Sequence, residues 1–359
     1  MKRWNGLRSA PPVGISIDII PSQERILACK GRAAELLEDE ISARPPGWTP
    51  KWCEALISEV AAVLARGELP GAGISAVEVP RFVHGQSQGI CDVFGASVEA
   101  QPDGNFYVHP VDPGEVASRR LVRTPVTRSR YWGAVEWIRY ARRAARGRVE
   151  FRNPVMTGPF DTANYLLGTT RLLEWTYSEP EILHWLLDEV TRTIIGMLGA
   201  LREAAGGTLH GEDLFCVRNI YCLCSECRSL VSAEIFAEYE APYLRRIGDA
   251  VGPYAIHSCG SWERTVRCSL LDSNLRAMNG QVRENDLHEL CRHVGGRLVL
   301  SIGPSRDVHE RYTWPDTKSF LEYVLQTVPP DQAVEIQVAE TDVPLYEELC
   351  GRIRGKGAR

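Results

Sequence analysis

Two side chains that can bind a metal follow the apolar run Tyr254-Ala255-Ile256, in the segment His257-Ser258-Cys259-Gly260. Side chains alternate along a strand, so a His and a Cys two residues apart at its end point to the same side. An imidazole and a thiol directed into one cleft suit a soft or borderline metal such as zinc. The spacing therefore predicts a metal site at His257 and Cys259, with zinc as the expected ion.

A second group of thiols lies upstream, in Cys222-Leu223-Cys224-Ser225-Glu226-Cys227. The spacing of Cys222 and Cys224 places both thiols on one side of a strand. That strand precedes the one that ends at His257, and consecutive strands in such folds are usually neighbours. Four ligands would close a structural metal site, whereas three would leave a position for water or substrate. Free cysteine is also a common core residue, so packing is the alternative for Cys222 and Cys227.

Alternating strands and helices must position these groups. Start signals at Pro21-Ser22 and Thr49-Pro50 predict helices over residues 21–44 and 50–67, and Pro102-Asp103-Gly104 predicts the turn of a hairpin. Strand patterns cover 74–79, 148–151, 154–157, 218–224, 254–259, 275–280, 297–303 and 333–339. A long helix is expected from residue 179 to Gly206-Gly207, and further helices over 232–250, 261–271, 284–294 and 315–328.

This alternation predicts an α/β fold with a parallel sheet and right-handed crossovers. With about eight strands, a closed (β/α)8 TIM barrel is favoured over an open sheet. No G-x-G-x-x-G motif follows a strand, which weighs against a dinucleotide-binding fold. We therefore expect residues 1–72 to form an N-terminal helical extension packed on the barrel, and residues 73–359 to form the barrel.

The composition excludes several classes of function. The 359 residues carry a net charge of -5 with no basic stretch interleaved with aromatic residues, so we expect no nucleic-acid partner. No apolar stretch of about 18 residues lacks charge, and no apolar segment follows Met1, so we expect neither a membrane span nor a secretory signal. Eleven cysteines then indicate reduced thiols in a cytoplasmic protein.

Barrel active sites lie at the C-terminal ends of the strands, and this rule selects further candidates. Asp161 follows an early strand and could act as a general base or substrate anchor, or cap the helix that follows. His84 ends the first barrel strand and Asn279 a later one, so both are candidates for binding a small-molecule substrate. Trp262 could line the cleft, because ligand pockets favour aromatic side chains. Glu340 follows the last strand and could act in catalysis or supply an oxygen ligand.

Three blocks of the sequence resemble the uroporphyrinogen decarboxylase superfamily. The block Gly158-Pro159-Phe160-Asp161-Thr162-Ala163-Asn164-Tyr165-Leu166-Leu167-Gly168 is similar to its segment after an early barrel strand. Ser232-Ala233-Glu234-Ile235-Phe236 with Tyr239-Glu240-Ala241-Pro242-Tyr243 resembles its S-P-E-x-F…P-Y helix. His257-Ser258-Cys259-Gly260 resembles the H-x-C-G of its corrinoid-linked methyltransferase branch. The order and spacing of the blocks agree, and the resemblance covers residues 105–345.

The resemblance implies a (β/α)8 barrel and, in the methylcobalamin:coenzyme M methyltransferase-like branch, a zinc ion held by His and Cys side chains. It thus implies His257 and Cys259 as zinc ligands and Tyr165 as a substrate-contacting residue. It further implies a corrinoid carried on a partner protein. In this branch zinc activates a thiol to accept or deliver a methyl group, since a bound metal lowers the pKa of a coordinated thiol or water.

The sequence departs from the family at three places. The Arg-rich N-terminal signature with which the decarboxylase binds propionates has no counterpart here. Where the methyltransferases place a further Cys ligand after the last strand, this chain reads Val338-Ala339-Glu340-Thr341-Asp342, and Cys350 lies well into the next helix. Ser225 stands where family members often carry an Asp. The third metal ligand is therefore open between Cys224, Cys222 and Glu340.

The function we predict is zinc-dependent methyl transfer between a small substrate or thiol and a corrinoid protein. The alternative is a metal-independent decarboxylase or lyase in the same barrel, whose carboxylated substrate would be held by residues such as Arg81, Arg152 or Arg218. A third hypothesis is a binding protein whose cysteines hold structural zinc.

Overall fold

A barrel of eight parallel strands dominates the computed structural model, which describes residues 15–42, 49–69, 74–211, 217–279, 281, 282, 284–303 and 314–357. Strands β3 and β4 form a separate antiparallel hairpin around the predicted turn, and the other eight belong to the barrel. In chain order, the strands are β1 (Ile15–Ile20), β2 (Ala76–Val77), β3 (Ser97–Ala100), β4 (Phe106–His109), β5 (Glu150–Phe151), β6 (Tyr221–Cys224), β7 (Tyr254–His257), β8 (Leu275–Asn279), β9 (Val299–Ile302) and β10 (Val334–Ala339).

The pairing of the strands gives the barrel its order. Strands β6, β7, β8, β9, β10 and β1 lie side by side in that sequence, and β2 pairs with β5. All of these pairs are parallel. The chain beyond β5 connects the two groups, because Thr157 forms a parallel bridge with Cys224 at the end of β6. The α/β class and the TIM barrel predicted from the sequence are confirmed.

The N-terminal region supplies a barrel strand as well as helices. Strand β1 pairs with β10 over its whole length, from Ile15 opposite Val334 to Ile20 opposite Ala339. The two helices predicted for this region follow it as α1 (Gln23–Ser42) and α2 (Pro50–Gly67). Both predicted helices are therefore present, but β1 precedes them and was not predicted. The boundary at residue 72 lies outside the described residues, so that division of the chain stays a prediction.

Helices follow the strands and cover the outside of the barrel. Several begin with a side-chain cap, as where the Ser232 hydroxyl accepts the Ile235 N–H. None of the helices in the described ranges is long and apolar enough to cross a membrane. The remaining helices are α3 (Arg81–His84), α4 (Pro113–Ala117), α5 (Trp132–Ala144), α6 (Pro159–Leu167), α7 (Thr169–Ser178), α8 (Pro180–Ala204), α9 (Ala233–Tyr239), α10 (Ala241–Val251), α11 (Val266–Ser269), α12 (Leu287–Val294), α13 (Thr317–Thr327) and α14 (Val343–Gly357).

The two faces of the sheet bury different residues. Tyr254 and Ile256 of β7 belong to the large core between the sheet and the helices. Ala255, on the opposite face of β7, packs with Cys222 and Ala277 in a small separate cluster inside the barrel. His257 shares the inner face with Ala255 and lies nearer the C-terminal end of the strand. The fold thus directs His257 towards the barrel rim at which active sites of this architecture lie.

A candidate metal site at the barrel rim

His257 and Cys259 meet at the C-terminal end of β7. The Nε2 atom of His257 lies 3.3 Å from the sulfur of Cys259, whose side chain is exposed. The other ring nitrogen of His257 is buried without a hydrogen-bond partner among the described residues, so Nε2 is the nitrogen presented to the rim. Tetrahedral zinc with Zn–N near 2.05 Å and Zn–S near 2.3 Å separates these two ligand atoms by about 3.6 Å. The pair therefore fits zinc in both its chemistry and its spacing.

Glu226 is the third ligand-type side chain at this place, and sequence reasoning did not select it. It lies two residues beyond β6, the strand next to β7 in the sheet. One carboxylate oxygen of Glu226 lies 3.4 Å from His257 Nε2, and the other accepts the Cys259 N–H at 2.6 Å. In the part of the chain that the structure describes, Glu226, His257 and Cys259 form the one group of three whose ligand atoms lie within 4.8 Å of one another.

Asp161 lies beneath the turn that carries Glu226. Its two carboxylate oxygens accept the backbone N–H groups of Glu226 at 2.6 Å and of Cys227 at 2.8 Å. The residue is 2% exposed, and this burial raises the pKa of Asp161 although the two N–H groups oppose the shift. Asp161 was predicted to act on substrate, but both of its carboxylate oxygens accept hydrogen bonds from the backbone of the turn.

Glu240 is a second buried carboxylate under the same turn. The Ser225 hydroxyl donates to Glu240 Oε1 at 2.6 Å, and Oε2 has no hydrogen-bond partner among the described residues. Burial raises the pKa of Glu240 to about 8, so the side chain is mostly protonated at neutral pH. A Cβ at Gly158 would lie 3.3 Å from both Glu240 Oε1 and the Leu244 side chain, so a larger residue there would crowd the buried carboxyl group.

Arg228 completes the support of the turn. It is 1% exposed and donates from Nε to the Thr265 hydroxyl at 3.0 Å and from Nη2 to the Ser269 hydroxyl at 2.7 Å. Its guanidinium faces the rings of Phe236 and Trp262, at 4.9 and 5.4 Å from their centroids. Trp262 was predicted to line the cleft, but it is 1% exposed and packs against this cation in the core.

The loop that carries Cys259 is held by a buried asparagine. The side-chain oxygen of Asn285 accepts the Trp262 N–H at 2.8 Å, and its amide nitrogen donates to the Gly260 carbonyl at 3.1 Å. Gly260 has φ +78°, and a Cβ there would lie 3.3 Å from the Cβ of Ser229. The loop therefore requires glycine at this position, both for its backbone conformation and for its approach to the Glu226 turn.

Cys222 lies lower in the barrel than the three ligand-type side chains, whereas Cys224 lies level with His257. Cys222 is fully buried and packs against Ile220 and Ala255. Cys224 is 5% exposed and lies opposite His257 in the strand register, but it is not part of the group of three. The predicted neighbourhood of the two strands is confirmed, whereas a role of either cysteine as a ligand stays a prediction.

Glu340 is engaged on the far side of the barrel opening. It accepts the Ser22 N–H at 2.9 Å and a hydrogen bond from Arg25 Nε at 2.8 Å. The hydrogen bonds from Arg25 and Ser22 lower the pKa of Glu340 to about 2. The structure does not bring Glu340 to His257, and its carboxylate instead ties the end of β10 to the N-terminal helix α1.

Of the other candidate residues, Tyr165 lies in α6, and His84 ends the short helix α3 and not a strand as predicted. Tyr165 accepts a hydrogen bond from the Gln88 amide at 3.3 Å, and burial raises the pKa of its phenol. His84 is fully buried, its Nδ1 lies 3.3 Å from the Gln86 carbonyl, and burial lowers its pKa to about 4. Asn279 ends β8 as predicted, is 5% exposed, and its Oδ1 has no hydrogen-bond partner among the described residues. Their roles in substrate binding stay predictions.

The sequence and the structure were compared with those of known proteins. Residues 89–298 match the uroporphyrinogen decarboxylase (URO-D) family. A methylated-thiol–coenzyme M methyltransferase from Methanosarcina mazei is 31% identical over 108 residues, which span 30% of this chain and 27% of that relative. A solved structure of a methyltransferase from Methanosarcina mazei superimposes with a TM-score of 0.60 at 14% identity, covering 96% of this chain and 95% of that one. This structural likeness supports the barrel fold.

Proposed function

The chain belongs to the uroporphyrinogen decarboxylase family, and from its rim site we propose that it is a zinc-dependent methyltransferase. It would move a methyl group between a small substrate or thiol and a corrinoid carried on a partner protein. The observation that carries the proposal is the pairing of His257 Nε2 with the Cys259 sulfur at 3.3 Å, on the open rim of the barrel. The name of the partial relative from Methanosarcina mazei agrees with methyl transfer to or from a thiol.

His257 and Cys259 would hold the zinc ion. When bound, zinc lowers the pKa of a coordinated thiol, so that a reactive thiolate is present at neutral pH. Cys259 is exposed, so a substrate can reach this side of the site from solvent. The Asn285 clamp and the Gly260 bend fix the loop that carries Cys259, which limits the reorganisation needed when ligands bind.

Methyl transfer of this kind balances without a further reactant. In the direction of thiol methylation, the thiolate sulfur would take the methyl group of a methyl–cobalt corrinoid on the partner protein. A sulfur–carbon bond would replace the cobalt–carbon bond, whose electron pair would remain with the corrinoid. Methyl transfer to the corrinoid would reverse these changes. The exposed position of Cys259 leaves room for a second protein to approach the rim, as this reaction requires.

The metal-independent decarboxylase is less well supported by the arginines it would use. Arg152 is 2% exposed, and its guanidinium donates to the Gly211 and Ile74 carbonyls at 3.0 Å each. Arg218 pairs with Glu150 at 3.1 Å. Glu150 begins β5, and this is the end of the barrel opposite the rim. These two arginines therefore do not face a carboxylated substrate at the rim.

Metal analysis combined with a methyl-transfer assay tests the proposal. We expect one zinc per chain in the purified protein and loss of that zinc in a His257→Ala/Cys259→Ala variant. We also expect zinc-dependent demethylation of methylcobalamin in the presence of a small thiol. Zinc that persists in the double variant would contradict the assigned site. Consumption of uroporphyrinogen with release of carbon dioxide by the metal-free protein would instead establish the decarboxylase.

A further inference from the structure

We infer that Glu226 is the third protein ligand of the zinc ion, and that Asp161 is the residue that positions it. The inference rests on the proposed zinc site at His257 and Cys259. It differs from all three candidates that the sequence left open, Cys224, Cys222 and Glu340. The donor set becomes one nitrogen, one sulfur and one oxygen.

The distances around Glu226 match a tetrahedral ion. With Zn–N and Zn–O bonds near 2.05 and 2.1 Å, tetrahedral geometry separates the two ligand atoms by about 3.4 Å. The observed separation between His257 Nε2 and Glu226 Oε1 is 3.4 Å. The Cys259 sulfur and this carboxylate also lie within the 4.8 Å span of the group. Three converging donors from the ends of adjacent strands leave one side of the ion free, as in catalytic zinc sites.

The alternatives for the third ligand are each placed less well. Cys222 lies inside the barrel among Ile220, Ala255 and Ala277, below the level of His257. Cys224 faces His257 across the strand pair but remains outside the group of three. Glu340 is held by Ser22 and Arg25 at the junction of β10 and α1. Glu226 alone among the carboxylates and thiols of the described residues joins both predicted ligands.

Glu226 is presented by a turn that is anchored from below. Asp161 accepts the N–H groups of both Glu226 and Cys227, and at 2% exposure it has no access to solvent in this state. The Ser225 hydroxyl is tied to Glu240, and Arg228 is tied to Thr265 and Ser269. Glu226 itself is 36% exposed at its side chain and points away from these anchors towards His257. A buried turn with one outward carboxylate is what a preorganised ligand requires.

Asp161 acts on the zinc through Glu226 and does not touch it. In Asp161→Asn the amide oxygen can accept only one of these two N–H groups, and the amide NH2 faces the other, so the turn can shift to find other partners. Because supporting contacts of this kind typically change metal affinity by about 10–100-fold, Asp161→Asn should weaken zinc binding by that order. The Cys259 N–H donates a hydrogen bond to Glu226 Oε2, so a movement of the turn that carries Glu226 should also displace Cys259.

Zinc affinity and ligand counting test the inference without an activity assay. The dissociation constant is measured by competition with a chromophoric chelator, and zinc-edge X-ray absorption gives the number of sulfur ligands. We expect one sulfur in the wild type and in Cys224→Ser. Glu226→Ala should weaken binding by about 100-fold or more, since loss of a ligand exceeds loss of its support. Glu226→Gln, which keeps an acceptor for the Cys259 N–H, should also bind zinc more weakly.

A matched control separates positioning from general loss of stability. Asp272 is also buried, and it accepts the Asn274 N–H and the Tyr254 hydroxyl before β8, at the opposite end of the barrel. Asp272→Asn should keep wild-type zinc affinity, whereas Asp161→Asn should not. Equal zinc affinity of Asp161→Asn and the wild type would overturn the positioning role. An unchanged affinity in Glu226→Ala, or two sulfur ligands of which one disappears in Cys224→Ser, would overturn the ligand assignment and leave the zinc methyltransferase standing. Zinc retained without His257 and Cys259 would refute the proposed function itself.

Discussion

The buried carboxyl group of Glu240 should make the protein less stable as the pH rises from 5 to 8. It is fully buried, it accepts from the Ser225 hydroxyl, and burial raises its pKa from the usual 4.5 to about 8. The folded protein therefore keeps a proton at Glu240 that the unfolded chain releases above pH 4.5. The contribution of Glu240 to the free energy of unfolding is fully present below pH 4.5 and is lost as the pH rises towards 8. The slope is about 1.4 kcal/mol per pH unit, or about 4 kcal/mol between pH 5 and pH 8.

Glu240→Gln isolates this effect, because glutamine resembles the protonated acid in shape and hydrogen bonding. We expect the variant and the wild type to differ by less than about 1 kcal/mol in free energy of unfolding at pH 5. At pH 8 the variant should be more stable, by up to the same order of about 4 kcal/mol. The measurement is reversible urea unfolding at each pH, followed by tryptophan fluorescence and circular dichroism at constant metal content.

Glu136→Gln is the matched control for this experiment, since Glu136 is an exposed carboxylate on α5. The difference between this control and the wild type should stay within about 0.5 kcal/mol at every pH. A free-energy difference between Glu240→Gln and the wild type that does not change between pH 5 and pH 8 would show that Glu240 is ionised in the folded protein. The reasoning from burial would then be wrong.

Three further changes test other parts of the structure. Arg228→Met removes the buried cation that favours the ionised form of Asp161, and chemical denaturation should report a loss of about 3–5 kcal/mol. A loss below about 1 kcal/mol would mean that the guanidinium does not stabilise this carboxylate. Glu340→Gln breaks a partly exposed ion pair with Arg25, so thermal unfolding should report a loss of stability of about 0.5–1 kcal/mol at pH 7. This loss should become smaller towards pH 2, because the carboxylate of the wild type is then protonated. The zinc content should stay unchanged. Burial lowers the pKa of His84 from 6.5 to about 4. Between pH 7 and pH 4 the free energy of unfolding of the wild type, measured with urea, should therefore fall by about 3 kcal/mol relative to that of His84→Gln. A difference between the two proteins that does not change with pH would contradict this.

The fold could be predicted from the sequence because its elements are strongly patterned. The expected strands at 254–259, 275–280 and 333–339 appear as Tyr254–His257, Leu275–Asn279 and Val334–Ala339. The helix expected over 232–250 is divided at Glu240, and a new helix begins at Ala241 with Pro242 in its first turn. Strand β1 was missed although Ile15, Ile17 and Ile19 alternate with polar Ser16 and Asp18, which is a strand signal. The two stronger helical patterns that follow it predict helix for the whole region.

The candidate site was only partly accessible to the same reasoning. His257 and Cys259 could be selected because their spacing and their position after an apolar run carry the signal. Glu226 could not, since one glutamate in a turn has no spacing of its own, and its approach to His257 depends on how β6 and β7 pair. Asp161 was selected for its position near the rim, but its engagement with two backbone N–H groups is a tertiary contact between residues 65 and 66 positions apart.

The pairing of β1 with β10 has a consequence for how the chain folds. Contacts at this seam, such as that between Ser22 and Glu340, join residues 318 positions apart, so the barrel closes late. During synthesis β1 emerges before β10. Until β10 follows, the backbone N–H and C=O groups on that side of β1 have no partner strand. An unpaired apolar edge of this kind favours association between chains. Shortened chains that lack β10 should therefore aggregate on expression. The yield of folded protein then depends on the interval between the synthesis of β1 and that of β10.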